Sequence, residues 1–337
     1  MKKIIILIIF LVGVFIVTIF YRVESFEVSA DKSMDISFEY EGNKLAGTLY
    51  LPKASPPYDV VVFIHGDGPV DRSANDGYNF LMNHLLAEGI ACFSYDKAGI
   101  AESEGNWLSQ SMLDRSLEVE LGLKALEQKI SINKKGIIAF SQGGWVASKL
   151  FENNVSLDFA VVIGGAIDWM DQHIYYERKY AEKNNFSDKE TKEFLSYVKK
   201  TDEYIIKNDY EGYSDYVSSY DYEKPMTEQR FKFVYINHKA NAIKGIKAID
   251  VPFLGIFGEN DQNVDVQESF QAYDKTFKMM NKTNYDLYIF PNATHSLLES
   301  QYQDHEIKLF IDSLIRGKDI FVKDFFNTIS QWIVELE

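Results

Sequence analysis

The segment "DISFEYEGNKLAGTLYLP" alternates apolar and polar residues on either side of "EGN", a period of two interrupted by turn chemistry, which predicts a β-hairpin. The rhythm then changes. "YDVVVFIH" carries an unbroken apolar run over 60–64, as do "IACFSY", "GIIAF", "FAVVIG" and "VPFLGIFG". Strands apolar on both faces belong inside a sheet that is covered on both sides. Between them, stretches near 76–88, 112–129, from Gly143 onward and 265–279 space their apolar residues as helices do. "YDLYIF" supplies a last strand, and an amphipathic helix is predicted near 319–335. Strand and helix in alternation predict an α/β fold with a mostly parallel, doubly wound sheet.

That alternation stops near Asp168. The following stretch, including "HIYYERKYAEKNNF" and "EFLSYVKKTDEYIIKNDYEGYSDYVSSYDYEKP", is charged and tyrosine-rich, with helical spacing and no central strand. An insertion between two sheet strands folds as a layer above the sheet edge. The expected organisation is a core formed by 35–167 and 249–337 with a helical cap over 168–248.

Ahead of the core, "MKKIIILIIFLVGVFIVTIFYR" sets Lys2 and Lys3 before an uncharged apolar run over 4–20. As a helix at ~1.5 Å per residue this run spans roughly 25 Å, slightly short of a ~30 Å hydrocarbon core. It reads as a transmembrane anchor over 1–22 followed by a polar stalk over 23–34. The "VSA" at 28–30 keeps a cleaved signal peptide open as the alternative. Both readings export the remainder of the chain, because the lysines favour a cytoplasmic start. The expected location is therefore outside the cytoplasm, held at the membrane or secreted.

Composition narrows the chemistry. Hydrophobic residues make up 46% of the 337, enough for a large core. Acidic residues outnumber Lys and Arg by 50 to 35, a net charge of −15 that repels phosphate backbones, so nucleic acid is not an expected partner. The single cysteine, Cys92, excludes an intrachain disulfide and sits in a strand pattern as a small core residue. His84, His173, His238 and His305 lack ligand spacing, so no metal is expected. "SQGG" lacks the trailing Gly-Lys-Ser/Thr of a phosphate loop.

The candidate chemistry lies in "GIIAFSQGGWVAS". Ser141 follows a strand and precedes a helix, with Ala139 and Gly143 as small residues two before and two after it. A nucleophilic serine needs such a tight turn, and the Gln142 N–H at the helix start then points where an oxyanion would develop. An ordinary serine N-cap would look the same in this stretch alone. Two later segments change the balance. "GIFGENDQNV" places Asp261 just past a strand and "YIFPNATHSL" places His295 just past the next, so nucleophile, acid and base fall at one edge of the predicted sheet. Asp265 is an alternative acid and a plausible N-cap of the next helix, and Glu259 is a third candidate.

With these segments the chain resembles the α/β-hydrolase superfamily from about Ile36 onward, the cap excepted. "HGDGPVDR", "YDKAGIAES" and "FSQGG" look like its esterase and dienelactone-hydrolase-like group, whose loops commonly read HGSGPxDR and DKRGxGxS. The resemblance implies Ser141 as nucleophile, Asp261 as acid and His295 as base, with no cofactor. It also matches His65 and Gly66 to the oxyanion loop and implies that the Asp67 backbone supplies a second donor beside Gln142. Four positions depart from the pattern. The elbow begins with Ala139 rather than Gly, one small residue for another. Asp67 stands where Ser is usual, and its carboxylate is expected to turn away or to pair, with Arg72 as the candidate. Ala98 and Ala101 replace an Arg and a Gly. Asp71 and Arg72 are expected to fix this loop as an ion pair, and His65 to orient it.

The function expected from these residues is a serine carboxylesterase acting on a small-molecule acyl substrate through an acyl-enzyme. A peptidase or thioesterase using the same residues is the nearest rival. A non-catalytic exported binding module on the same fold is the rival from another class. The cap's tyrosines and phenylalanines either line a pocket or glue the cap to the core.

Overall fold

The computed structural model describes residues 26–336. Eight strands form one sheet in the order β1-β2-β4-β3-β5-β6-β7-β8: β1 Lys32–Tyr40, β2 Asn43–Leu51, β3 Tyr58–Ile64, β4 Ile90–Tyr95, β5 Ile132–Phe140, β6 Phe159–Ile163, β7 Phe253–Gly258 and β8 Tyr285–Phe290. The hairpin β1–β2 turns at Glu41 and Gly42, both with positive φ, as a two-residue connection between twisted strands requires. β2 pairs antiparallel with β4, and every pair from β4 to β8 is parallel.

Helices cover both faces. Helices α1 (Asn79–Ala87) and α11 (Phe325–Val334) pack Leu81, Met82, Leu85, Phe326, Ile329 and Ile333 against one side. On the other lie α2 (Met112–Glu127), α3 (Gly143–Glu152), α8 (Ile243–Ala248) and α9 (Val266–Met279), contributing Val119, Leu123, Val146, Leu150, Ile246 and Phe277. Each buried side chain of this size contributes roughly 1.5–3 kcal/mol. The sheet is therefore the rigid platform from whose carboxyl-terminal edge loops emerge.

Between β6 and β7 come α4 (Trp169–Lys183), α5 (Asp188–Ile206), α6 (Tyr210–Ser218) and α7 (Glu228–Asn237). Asp168, Ser187, Asp209 and Thr227 cap their N-termini with side-chain acceptors. These helices enclose a small core of their own around Phe194, Tyr197, Ile205, Tyr213 and Phe231. Many of the tyrosines thus glue the layer together. Phe233 of α7 reaches across to Trp107 and Trp169.

Three features differ from the sequence reading. β1 begins at Lys32, inside the stretch expected as stalk. Ahead of it, the carbonyls of Phe26 and Glu27 accept from the side-chain amides of Asn79 and Asn83 (2.7 and 2.9 Å), so that segment is fastened to α1. The predicted final helix is shorter, Phe325–Val334, because a 3-10 turn over Gly317–Ile320 precedes it. A helix not predicted at all, α10 (Glu306–Arg316), stands between His295 and that turn. The expected anchor or signal segment, 1–22, lies outside the described residues. Among those described, no helix is long and apolar enough to cross a membrane.

Candidate active site

Ser141 ends β5 at the turn into α3, and its φ of 52° lies in the left-handed region that residues with a Cβ avoid. The turn is held by its neighbours. The Ser141 N–H donates to the Ile163 carbonyl at the end of β6 (2.8 Å), and the Ser141 carbonyl accepts from Gly144 N–H (2.8 Å). A Cβ on Gly143 would sit 2.6 Å from the Ile64 carbonyl oxygen, and one on Gly66 would sit 3.3 Å from the Ser141 Cβ. The loop after β3 can approach the serine only because both positions lack side chains.

Asp261 follows β7 and is almost fully buried. Its Oδ1 accepts from the N–H groups of Asn263 (2.7 Å) and Val264 (2.9 Å), and Oδ2 lies 2.6 Å from His295 Nδ1. The rival carboxylates are engaged elsewhere: Asp265 caps α9 through Glu268 N–H (3.0 Å), and Glu259 accepts from Asn292 N–H (3.0 Å). The His295 imidazole rests against Gly164, the residue after Ile163, where an added Cβ would lie 3.0 Å from His295 Cε1. Serine and histidine are thus brought to the same strand end, and both line one cavity. Burial pulls the His295 pKa down, but the charge and hydrogen bond of Asp261 outweigh it and leave the imidazole above its usual value.

Two buried cations build the loop around Gly66. Lys97 Nζ donates to the carbonyls of Gly66 (2.6 Å) and Gly68 (2.8 Å), and burial together with Arg115 holds its pKa well below the usual lysine value. Arg115 donates to the Gln142 side-chain oxygen and to the His65 carbonyl, each at 2.6 Å. With the carbonyls tied back, the N–H groups of Asp67 and Gln142 have no acceptor among the described residues. His65 is buried and neutral, its pKa pushed down to about 3 by desolvation. Its Nε2 donates to the Tyr95 carbonyl (2.5 Å), which leaves Nδ1 to accept from the Tyr78 hydroxyl (3.2 Å).

Neither pairing expected for Arg72 forms, with Asp67 or with Asp71. Arg72 pairs instead with Asp96 (2.5 Å) and Glu102 (2.6 Å), tying the β3 loop to the β4 loop, while Asp71 accepts from Ser73 and Asn75 N–H groups. Asp67 takes a two-point ion pair from Arg230 of α7 (2.9 and 2.5 Å) and a hydrogen bond from the Gln142 side-chain amide (3.0 Å). Burial pushes its pKa up, but Arg230 outweighs this and keeps the carboxyl below its usual range. The guanidinium itself stacks on Phe233 and Trp107, at 5.0 and 5.8 Å from the ring centroids. Lys97, Arg115 and Arg230 escaped the sequence reading. Arg115 alone left a trace there, a cation among Met112, Val119 and Leu123 on the buried face of α2.

Two cavities meet at Ser141. One, about 470 Å³, lies between core and cap and is lined by Asp67, Gln142, Trp169, Glu177, Asp202 and Arg230 among others. Within it His173 is bonded to Asp202 (3.1 Å) and Glu177 (3.4 Å); burial opposes its charge, but the two carboxylates push its pKa up to about 10. The other cavity, about 460 Å³, holds His295 and is walled by Phe26, Phe80, Phe140, Ile163, Phe321 and Phe325. A polar and an apolar compartment on either side of one hydroxyl suit a molecule with two unlike halves.

Comparison with known proteins gives the family and the fold. The sequence profile of the family described as serine aminopeptidase, S33, matches residues 55–301. Esterase EstD of Thermotoga maritima is 19% identical over 306 residues, which cover 87% of this chain and 66% of that protein; the chain thus spans just under two thirds of that relative's length. An esterase of Pyrococcus furiosus superposes with a TM-score of 0.57 at 17% identity, over 90% of this chain and 91% of its own. A thermostable carboxyl esterase of Bacillus coagulans, solved with glycerol, gives a TM-score of 0.57 at 13% identity, over 92% and 99%. The likeness to these two structures is one of fold.

Proposed function

The chain belongs to the α/β-hydrolase family described as serine aminopeptidase, S33, and on that premise we propose that it is a serine carboxylesterase. His295 Nε2 takes the Ser141 proton as Oγ bonds to the acyl carbon, and Asp261 stabilises the imidazolium that forms. The oxyanion is received by the N–H groups of Gln142 and Asp67, each worth about 10²- to 10³-fold. His295 then gives its proton to the departing alkoxide oxygen as the carbon–oxygen bond breaks. Water, deprotonated by the same nitrogen, adds to the acyl carbon, and His295 returns that proton to Ser141 Oγ as the acyl–serine bond breaks and the acid leaves.

One observation carries this reading: the strained Ser141 turn is bonded to Ile163, the His295 ring held by Asp261 lies against the next residue, Gly164, and serine and histidine face a common cavity. The test is a fluorophosphonate probe. Labelling at Ser141, lost in Ser141→Ala and severely weakened in His295→Ala, is the expected result. Folded protein that never labels would sink the proposal and leave the binding module.

The family's description keeps an aminopeptidase reading open, since Glu177, Asp202 and Glu223 face the cap-side cavity. These acids already have partners, however: Glu177 and Asp202 hold His173, and Glu223 accepts from the Tyr197 hydroxyl (3.2 Å). Turnover of aminoacyl amides faster than esters would favour the peptidase. The proposed location is outside the cytoplasm, from the apolar run over 4–20 and the lysines before it. Protection of the chain from protease added to intact cells would count against it.

A further inference from the structure

Every other α-helix described buries at least one side chain; α10 buries none. Its Ile307, Phe310, Ile311 and Ile315 are 80, 65, 49 and 53% exposed, and their spacing puts them in one stripe facing solvent. The helix is nevertheless fixed in place. Arg316 pairs with Glu299 (2.8 Å) and the Tyr302 hydroxyl donates to Asp312 (3.1 Å). Its other side, through Leu309 and Ser313, roofs the apolar cavity that reaches Ser141 and His295.

What covers the stripe is indicated by the start of the described chain. Phe26 lines the same cavity, its ring 5.1 Å from that of Phe80 and its carbonyl held by Asn79. The uncharged apolar run ends at Phe20. Six steps of chain reach at most ~20 Å, however the residues between are arranged. A bilayer that accepts the run over 4–20 therefore lies beside the mouth of this cavity. The charges on α10 itself, Glu306 and Asp312 against Lys308 and Arg316, balance, so the stripe offers an apolar contact with no net charge to draw an anionic surface.

We infer that α10 lies on a zwitterionic lipid bilayer, stripe inward, and that the cavity beneath it takes the acyl chain of an ester drawn from that bilayer. The substrate class is then an amphiphilic acyl ester, its polar half directed to the cap-side compartment. This assignment rests on the esterase reading and on the export reading of the run over 4–20 given above.

The full chain in phosphatidylcholine vesicles tests it. Cys92 is fully buried, so Phe310→Cys accepts a single environment-sensitive fluorophore, with Lys189→Cys on the exposed end of the cap as control. A nitroxide on the lipid acyl chain should quench the probe at 310 by roughly half and leave that at 189 unchanged, as for a helix seated at the acyl boundary. In parallel, the double variant Phe310→Ser with Ile311→Ser should hydrolyse a vesicle-borne long-chain ester about tenfold more slowly while keeping its rate on a short soluble ester. No lipid quenching at 310 overturns the assignment. Shielding that follows protein concentration and ignores the lipid quencher overturns it in favour of a second copy. A parent chain that hydrolyses neither ester refutes the esterase reading instead, and the quenching result still decides the docking.

Discussion

Gly164 is where the backbone of the sheet meets the candidate base, and Gly164→Ala is the sharpest single test of that contact. At φ +61° an alanine carries about 1–2 kcal/mol of left-handed strain, offset by the 0.4–1 kcal/mol that a stiffer unfolded chain returns. The net destabilisation is about 1 kcal/mol, a fall in melting temperature of roughly 2 °C for a chain of this size. The steric effect is separate. The new Cβ would stand 3.0 Å from His295 Cε1 and 3.2 Å from Nδ1, tighter than most such contacts, so the imidazole must give by a few tenths of an ångström or strain its bond to Asp261. A full ~1 Å misplacement at a reacting group costs about 10²-fold, and this smaller shift a fraction of that. Gly42→Ala separates the two effects: φ is +79°, with nothing within 4 Å of the added atom. Both variants should lose comparable stability in thermal melts, while only Gly164→Ala should slow fluorophosphonate labelling and kcat/KM on a short ester, by about three- to tenfold. Labelling of Gly164→Ala within twofold of the parent would refute the placement of His295 as base.

Other outcomes follow from the same geometry. Because Asp261 holds the His295 pKa above its usual ~6.5, kcat/KM should fall as pH drops through a midpoint above that value, the protonated ring being unable to accept the serine proton. Asp261→Asn should move this acid limb downward in a pH–rate profile and lower kcat by about 10⁴-fold. Arg230→Met should leave the Asp67 carboxylate unpaired beside the proposed oxyanion site and reduce kcat by roughly tenfold, with Asp67→Ser restoring it; a double-mutant cycle with coupling below ~0.5 kcal/mol would show that the pair does not matter. Ala101 has φ 46° where related loops carry glycine, so Ala101→Gly should stabilise the chain by about 0.5–1 kcal/mol in denaturant unfolding.

How much of this was legible in the sequence depended on the range of the interaction involved. The apolar runs of β3, β4, β5, β6 and β7 announce a buried parallel sheet because each needs only its own residues to do so. The placement of Ser141, Asp261 and His295 at one sheet edge was legible for a related reason: each sits just past a strand, and a parallel sheet brings all such positions to one edge. The partners of Asp67 were not. Arg72 is five residues away and was the natural choice, yet Arg230 wins because α7 lowers it onto Phe233 and Trp107, a placement that only the folded cap creates. Lys97 reads as a loop lysine until the fold buries it between two carbonyls. Helix α10 escaped for the opposite reason, since helical spacing of Ile307, Phe310, Ile311 and Ile315 normally marks a core-facing side and here marks an outward one.

The departures from the family's loop sequences make sense as a redistribution of charge. The chain carries −15 overall, yet an oxyanion at Ser141 needs a local field of the opposite sign. Lys97, Arg115 and Arg230 all contact the loop after β3 or the side chain of Gln142. Against them stand Asp67 and Glu118, and burial pushes the Glu118 pKa up to about 7, so near neutrality its charge is only partly present. Burial likewise holds the Lys97 pKa well below the usual lysine value, so the two guanidinium groups carry the positive field, and the carboxylate at the position where serine is usual is balanced by Arg230. At an effective dielectric constant near 20, one unit charge ~10 Å away is worth about 1.7 kcal/mol, more than a factor of ten in rate. The charge beside the proposed oxyanion site is therefore set by Arg230, a residue of the cap that pairs with Asp67 at two points.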